Sequence, residues 1–393
     1  MLGYGKLLPT QIAQICKRGP LSYDQVDFLD KNGYLVIPAI ITAEESLEYI
    51  NEIWDKTIVD SPIKIQPERP LDPIGELTKE QIKDFKNNWK FPGKHFGAIN
   101  MAPVYHLENS WKVRQNPELY QIYAQIYNES KLWTTIDRVN VKPPTFGAAE
   151  FLHWDWDPFH PKDIKIQSIL NLSERVFTCI PGSNNSQWLE KFKEMYTNEA
   201  FHQDITQPQT IVQIKKEVDR ELWNLGRIME LDEEAPTLNN CLRKIVCPAG
   251  SMLLFTSNVL HAVCKNTTKK IMYASYISYD PVNLKHEDRV HHKKGPSWTG
   301  WVNHPHCNYG DSCREDRIRS FNTGTAPFRF SGGNLTYFIP KRIMTMMLKY
   351  WKEEYLKTHP RTGKKMIVEN LPSNYTPPVL TDLGKKLLGL IEW

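Results

Sequence analysis

The chain has 393 residues, of which 40% are hydrophobic and 24% are charged, and its formal net charge is +4. Its 12 tryptophans, 17 tyrosines and 15 phenylalanines are enough for a large apolar core, which excludes a disordered or fibrous chain. Because single cores stop growing at roughly 250–300 residues, we expect either two domains or one enlarged domain with long insertions.

The charge is unevenly distributed along the chain. From Pro281 onward there are 18 lysine and arginine residues against 10 aspartate and glutamate residues, a net charge of +8, so residues 1–280 carry −4. An anionic partner is therefore expected to bind the C-terminal third.

Targeting signals are not apparent. The sequence contains no run of 18 uncharged apolar residues, and polar and charged residues interrupt positions 1–20. The seven cysteines are odd in number and form no Cys-x-x-Cys pair, which favours a reducing compartment. We expect a cytoplasmic protein with no membrane partner.

Helix-capping residues predict four helices in the first 131 residues, which we interpret as an N-terminal helical layer. The capping pairs are Ser22 with Gln25, Thr42 with Glu45, and Thr78 with Gln81, and Asn116 followed by Pro117 begins the fourth helix. The first helix should end near Gly33, before a short strand at 34–38. The second should run toward Trp54 and the fourth through Tyr127.

Short runs rich in β-branched and aromatic residues begin at residue 132 and predict a β core over 132–280. The runs are 133–142, 150–156, 164–172, 175–180, 244–247, 251–255 and 271–279. A polar insertion at about 187–242 interrupts them, with predicted helices at 188–196 and 214–225. The extension 281–393 is expected to be loop-rich to about Thr336, with helices at 341–357 and 381–391.

Two candidate metal ligands lie in the strand at 150–156. His153 and Asp155 are two residues apart, so on a strand both point to one face. With 12 histidines, about one His-x-Asp is expected by chance, and the chain has two others. His202 lies in the polar insertion and His286 in a charged loop, so only His153 stands among buried strands. Asp157 is ranked as a substrate or supporting group.

The third candidate ligand is His261, which follows a glycine turn and the apolar strand at 251–255. Two histidines and one carboxylate leave three open positions on one face of a metal, an arrangement suited to non-haem Fe(II) oxygenases. Spacing alone leaves open the alternative of three unrelated polar residues in a β domain.

Five segments occur in the order found in a known family. They are NGYLVIP at 32–38, NVKPP at 140–144, IPGSN at 180–184, AGSMLLF at 249–255 and NTT at 266–268. With them, residues 21–280 resemble the phytanoyl-CoA hydroxylase (PhyH-like) family of Fe(II)/2-oxoglutarate dioxygenases. The resemblance implies a double-stranded β-helix, or jelly roll, that uses Fe(II), 2-oxoglutarate and O2.

The resemblance also assigns roles to residues. His153, Asp155 and His261 would bind iron, and Lys270, or less favourably Lys269, would pair with the far carboxylate of 2-oxoglutarate. Lysine stands where the family has arginine and lacks its bidentate fork. Hydrogen bonds to the cosubstrate are expected from Gln167 and from Asn140 or Arg138, although each could be structural instead.

The basic extension mixes cations with aromatic residues, among them Lys293, Lys294, Trp298 and Trp301. Such a mixture can bind single-stranded nucleic acid, but a solvated surface is the favoured interpretation. An anionic small-molecule substrate is the other alternative.

The sequence thus predicts a jelly-roll dioxygenase with an N-terminal helical layer, a helical insertion and a C-terminal extension, which hydroxylates an organic substrate. Two alternatives stay open. One is a catalytically silent binding or scaffold protein on the same fold, and the other is a cupin-like enzyme that uses zinc or manganese without 2-oxoglutarate.

Overall fold

Two antiparallel sheets form the centre of the computed structural model, and helices cover one of them. The structure describes residues 2–3, 5–59, 67–89, 101–102, 104–145, 152–153, 164–186, 242–262, 265–282, 311–324, 356–358, 365–367 and 375–393. The two helices predicted in the insertion lie outside these residues.

The helices of the first 131 residues begin where capping was predicted. The four capped helices are α2 (Tyr23–Asn32), α3 (Ala43–Ile53), α4 (Lys79–Asn88) and α6 (Pro117–Tyr127). Ser22, Thr42, Thr78 and Asn116 accept the expected backbone hydrogen bonds, which confirms these four helices. A π-helical turn, Trp54–Val59, continues α3.

Two helices, α1 (Pro9–Cys16) and α5 (Glu108–Arg114), were not predicted from the sequence. Their N-cap residues are Leu8 and Leu107, and neither side chain caps a backbone N–H. Without a capping residue, these helices lack the sequence signal that identified the other four.

Ten of the described strands overlap predicted runs, and the runs 133–142 and 271–279 each form two strands, whereas the strands at 101–102, 261–262, 356–358 and 365–367 were not predicted. The described strands are β1 (Tyr34–Ile37), β2 (Met101–Ala102), β3 (Leu132–Thr134), β4 (Val139–Lys142), β5 (Leu152–His153), β6 (Ile166–Asn171), β7 (Arg175–Cys179), β8 (Arg243–Cys247), β9 (Met252–Thr256), β10 (His261–Ala262), β11 (Met272–Tyr276), β12 (Tyr279–Pro281), β13 (Leu356–Thr358) and β14 (Lys365–Ile367). The larger sheet has the order β1-β9-β6-β11-β4-β2, and the smaller one has the order β5-β10-β7-β8.

Alternate residues of the larger sheet point to its two faces. Leu254 and Tyr273 belong to the hydrophobic cluster that includes the N-terminal helices. Leu253 and Phe255 instead pack with Phe177 of the smaller sheet. The two sheets therefore enclose an apolar interior. We call the side of each sheet that faces this interior its inner face. The predicted jelly-roll fold is confirmed.

The C-terminal extension differs in part from its prediction. Helix α7 (Asp311–Thr323) lies where loop was expected. Residues 356–357, the predicted end of a helix, belong to strand β13, and the rest of that helix lies outside the described residues. The last helix, α8 (Asp382–Leu388), is confirmed but ends earlier than predicted, because Gly389 follows it in the left-handed conformation.

Within the part of the chain that the structure describes, no helix is long and apolar enough to cross a membrane.

Candidate metal centre

The two predicted histidine ligands are direct partners across neighbouring strands. In the pairing of β5 with β10, His153 lies opposite His261, and on the other side of β10, His261 lies opposite Cys179 of β7. Direct antiparallel partners share a face of the sheet, with Cβ atoms roughly 4.5–5.5 Å apart. The fold thus brings together two positions that are far apart in the sequence.

Asp155 lies outside the described residues, as does the side chain of His153. For this reason the described residues by themselves contain no group of three His, Cys, Asp or Glu side chains that would hold a metal ion. The complete ligand set therefore stays a prediction, with the backbone register of two of its members defined.

The imidazole of His261 is held in a defined orientation. Its Nδ1 lies 3.0 Å from the backbone carbonyl of Val259. The ring stacks on Phe177 at 5.8 Å and 27° and is tilted against Phe255 at 5.0 Å and 60°. Because a carbonyl oxygen only accepts hydrogen bonds, Nδ1 carries the proton, and Nε2 is the nitrogen that can coordinate a metal.

The turn at 181–183 supports the loop that precedes His261. Ser183 Oγ accepts a hydrogen bond of 2.8 Å from Leu260 N–H, and Ile180 N–H donates to the Leu260 carbonyl at 2.9 Å. The IPGSN segment thus contacts the residue that immediately precedes His261. Asn184 is buried and donates to the backbone carbonyls of Gly3 and Asp30, so its amide has a structural role.

Two of the predicted cosubstrate residues lie on the inner face of the larger sheet. Gln167 of β6 is half-buried and pairs with Phe255, whereas Asn140 of β4 is buried and pairs with Ala274. Both partners belong to the interior cluster between the sheets. Arg138 is half-buried, just before β4.

The two lysines predicted to bind the far carboxylate lie on the surface. Lys270 is exposed in the turn before β11, and its carbonyl accepts a hydrogen bond from Asn266 Nδ2 at 2.7 Å. Lys269 is exposed as well, with Nζ 3.7 Å from Glu76 Oε2. The cosubstrate role of Lys270 stays a prediction.

Two buried basic residues between the sheets were not predicted from the sequence. Lys142 of β4 is 2% exposed and pairs with Met272, and Arg175 of β7 is 9% exposed and pairs with Cys247. Each stands beside a turn in the sequence, where a charged residue is ordinarily solvated. The available signal was the two-residue period, since Arg175 alternates in register with Phe177 and Cys179.

Burial keeps the thiols of this interior neutral. It raises the pKa of Cys179 to about 12, with a further contribution from Cys247. Burial also raises the pKa of Cys247 to about 11, although Arg175 opposes the shift. Near pH 7 the described interior therefore combines neutral thiols and aromatic rings with the basic side chains of Arg175 and Lys142.

No protein-family model and no curated protein matches the sequence. Among solved structures, EctD from S. alaskensis with bound Fe is 15% identical, with a TM-score of 0.40 over 68% of this chain and 79% of that one. The non-heme alpha-ketoglutarate dependent carbocyclase SnoK from nogalamycin biosynthesis is 14% identical, with a TM-score of 0.37 over 66% and 84%. HygX from Streptomyces hygroscopicus, with nickel and 2-oxoglutarate bound, is 13% identical, with a TM-score of 0.37 over 67% and 88%.

Proposed function

We propose that this protein is an Fe(II)- and 2-oxoglutarate-dependent dioxygenase that hydroxylates an organic substrate and releases succinate and CO2. The observation that carries the proposal is the register of β5 and β10, which pairs His153 with His261. The order of the five sequence segments that resemble the PhyH-like family supports it.

The donor groups fit iron. His261 offers Nε2, and the proposed set is completed by His153 and the carboxylate of Asp155. Two imidazoles and one carboxylate suit Fe(II) and leave positions for a bidentate cosubstrate and dioxygen. When bound, these groups supply the oxidising chemistry, in which 2-oxoglutarate is decarboxylated and one oxygen atom is transferred to a C–H bond.

The protein's own residues would position the reactants and exclude water. Phe177 and Phe255 pack against the His261 ring, and against each other, and so fix its orientation. Gln167 and Asn140 would donate hydrogen bonds to the cosubstrate from the inner face of the larger sheet. We further propose a cytoplasmic location and an anionic small-molecule substrate, in keeping with the basic C-terminal third.

The proposal can be tested by anaerobic reconstitution of the full chain with Fe(II) and 2-oxoglutarate. We expect a visible absorption band that requires both additions, and succinate once air is admitted. His261→Ala should lose the band and the succinate. His106→Ala is the matched control, because His106 lies in the turn before α5 and contacts the Lys56 carbonyl, and it should behave as the wild type.

Wild-type protein that is folded yet gives neither the band nor succinate would overturn the proposal. Binding of zinc or manganese without a 2-oxoglutarate-dependent change would favour the cupin-like enzyme instead. Absence of any metal binding would favour the scaffold protein.

A further inference from the structure

Arg175 places a guanidinium group between the two sheets. It begins β7 and shares that strand's inner face with Phe177 and Cys179. Its partner on β8, Cys247, is completely buried, and Arg175 itself is only 9% exposed. The residue therefore belongs to the interior between the two sheets and not to the surface.

The charge of Arg175 lacks a counter-ion in the part of the chain that the structure describes. Its Nη1 is buried without a hydrogen-bond partner. The buried carboxylates among the described residues are Asp30 and Glu52, and both bind backbone N–H groups elsewhere. The thiol of Cys247 is neutral near pH 7, so it does not balance the charge either.

A buried guanidinium without an anion is unfavourable, because desolvation weakens the charged form and no partner compensates. Arginine remains charged at physiological pH, so it cannot escape this cost by losing a proton. Such a group is therefore expected to bind an anion that comes from outside the chain, and the planar fork of arginine matches a carboxylate.

The distance from Arg175 to the candidate metal centre suits a dicarboxylate. Cys179 lies beside His261, and Arg175 is four residues earlier on the same face, which is about 13 Å at roughly 3.3 Å per residue. The arginine side chain and an extended five-carbon dicarboxylate can together span this separation.

We propose that Arg175 binds the carboxylate of 2-oxoglutarate that is distal to the metal, an inference that rests on the proposed function. Other basic residues are less suitable for this role. Lys270 is exposed. Lys142 is buried, but it already interacts with another group of the protein.

The first test uses metal-free protein and glutarate, a five-carbon dicarboxylate that has no keto group to chelate iron. Glutarate should raise the Tm of the wild type and leave that of Arg175→Met unchanged. Without ligand, Arg175→Met should be at least as stable as the wild type, because it removes an unpaired buried charge. A purely structural arginine would instead give a less stable variant.

The second test titrates 2-oxoglutarate into anaerobic Fe(II)-loaded protein and follows the absorption band. Arg175→Met should need at least about tenfold more 2-oxoglutarate for half-saturation, which is the loss expected for a charge-assisted hydrogen bond. Lys244→Met is the matched control, because Lys244 is exposed on the outer face of β8, and it should titrate as the wild type. Lys142→Met and Lys270→Met test the other basic residues.

Unchanged 2-oxoglutarate affinity in Arg175→Met would overturn the inference while the wild-type band left the proposed function intact. The same conclusion would follow if only Lys142→Met or Lys270→Met lost affinity, or if glutarate failed to stabilise the wild type. Failure of the proposed function has a separate signature, which is the absence of the band in the wild type.

Discussion

Glu52, on α3, caps the N-terminus of α5, whose own N-cap residue, Leu107, has no capping side chain. It is 8% exposed, and its two oxygens accept hydrogen bonds of 2.9 Å from the backbone N–H groups of Glu108 and Asn109, at the first turn of α5. Lys56 Nζ donates to the same carboxylate at 2.8 Å. Burial alone would raise the pKa of Glu52, but these hydrogen bonds outweigh burial, and the pKa is lowered.

Replacement of Glu52 should therefore show a pH-dependent loss of stability. We expect Glu52→Gln to lower the free energy of unfolding by about 1–3 kcal/mol at pH 7, because a neutral amide cannot accept all these hydrogen bonds. Since the folded-state pKa is lowered, the advantage of the wild type should be complete above the unfolded-state pKa, at about 4.3. It should disappear as the pH falls through the folded-state value.

Urea unfolding of both proteins between pH 7 and pH 3 measures this difference. Glu48→Gln is the matched control, because Glu48 lies on the same helix but is exposed, 3.8 Å from Lys112. It should change stability by less than about 0.5 kcal/mol. A difference between wild type and Glu52→Gln that stays constant over this pH range would contradict the role assigned to the carboxylate.

Two glycine turns next to strands of the two sheets should differ in their tolerance of alanine. Gly250 (φ +77°) lies between β8 and β9, where an added Cβ would overlap the Ile41 carbonyl oxygen. Gly182 (φ +80°) lies in the turn beside Leu260, and its nearest contact would be the Lys31 carbonyl oxygen at 3.7 Å. Only the first position combines a left-handed backbone with a steric clash.

Gly182→Ala should cost about 1–2 kcal/mol, the strain of a left-handed backbone with a side chain. Gly250→Ala should cost about 1–3 kcal/mol more, because the overlap must be relieved by moving the backbone. Chemical denaturation of the two variants isolates the clash, since both share the backbone strain. Equal losses in the free energy of unfolding would show that the backbone near Ile41 moves without a measurable energetic cost.

Local chemistry determined which elements the sequence could predict. Helices α2, α3, α4 and α6 begin at Ser, Thr or Asn caps and were predicted, whereas α5 begins at Leu107 and depends on Glu52, which is distant in the sequence. The two-residue strand β10 is too short for a periodic pattern, and only its pairing with β5 and β7 defines it. Contacts between distant segments carry no local signal.

The residues of the candidate site divide in the same way, into those with a local sequence signal and those without one. His153, Asp155 and His261 were predicted through motif order, because a ligand pair on a strand and a histidine after a glycine turn are local patterns. The structure defines the pairing of the two histidines, and Asp155 lies outside the described residues. Arg175 was not found, since a charged residue after Ser173 and Glu174 is typical of a solvated turn. Its significance comes from burial between two sheets, which depends on how the whole chain closes.

The C-terminal residues contact both the helical layer and strand β3. Arg317 of α7 donates to the carbonyls of Leu387 and Leu388 at 2.8 and 3.3 Å, and its guanidinium lies 5.3 Å from the centre of the Trp133 ring. Gln115, after α5, accepts hydrogen bonds from Thr381. Because these contacts involve both α5 and β3, α8 should unfold together with the core.

Loss of apolar packing at α8 should therefore destabilise the molecule as a whole. Leu387 is completely buried, so Leu387→Ala should lower the free energy of unfolding by about 2–5 kcal/mol. Leu390 is 36% exposed, so Leu390→Ala is the matched control and should change it by less than about 1 kcal/mol. Thermal unfolding followed by tryptophan fluorescence and by circular dichroism should give coincident transitions in both variants. An early separate transition in Leu387→Ala, with the main one unmoved, would show that the C-terminal segment is an independent unit. The β core would then be stable without it.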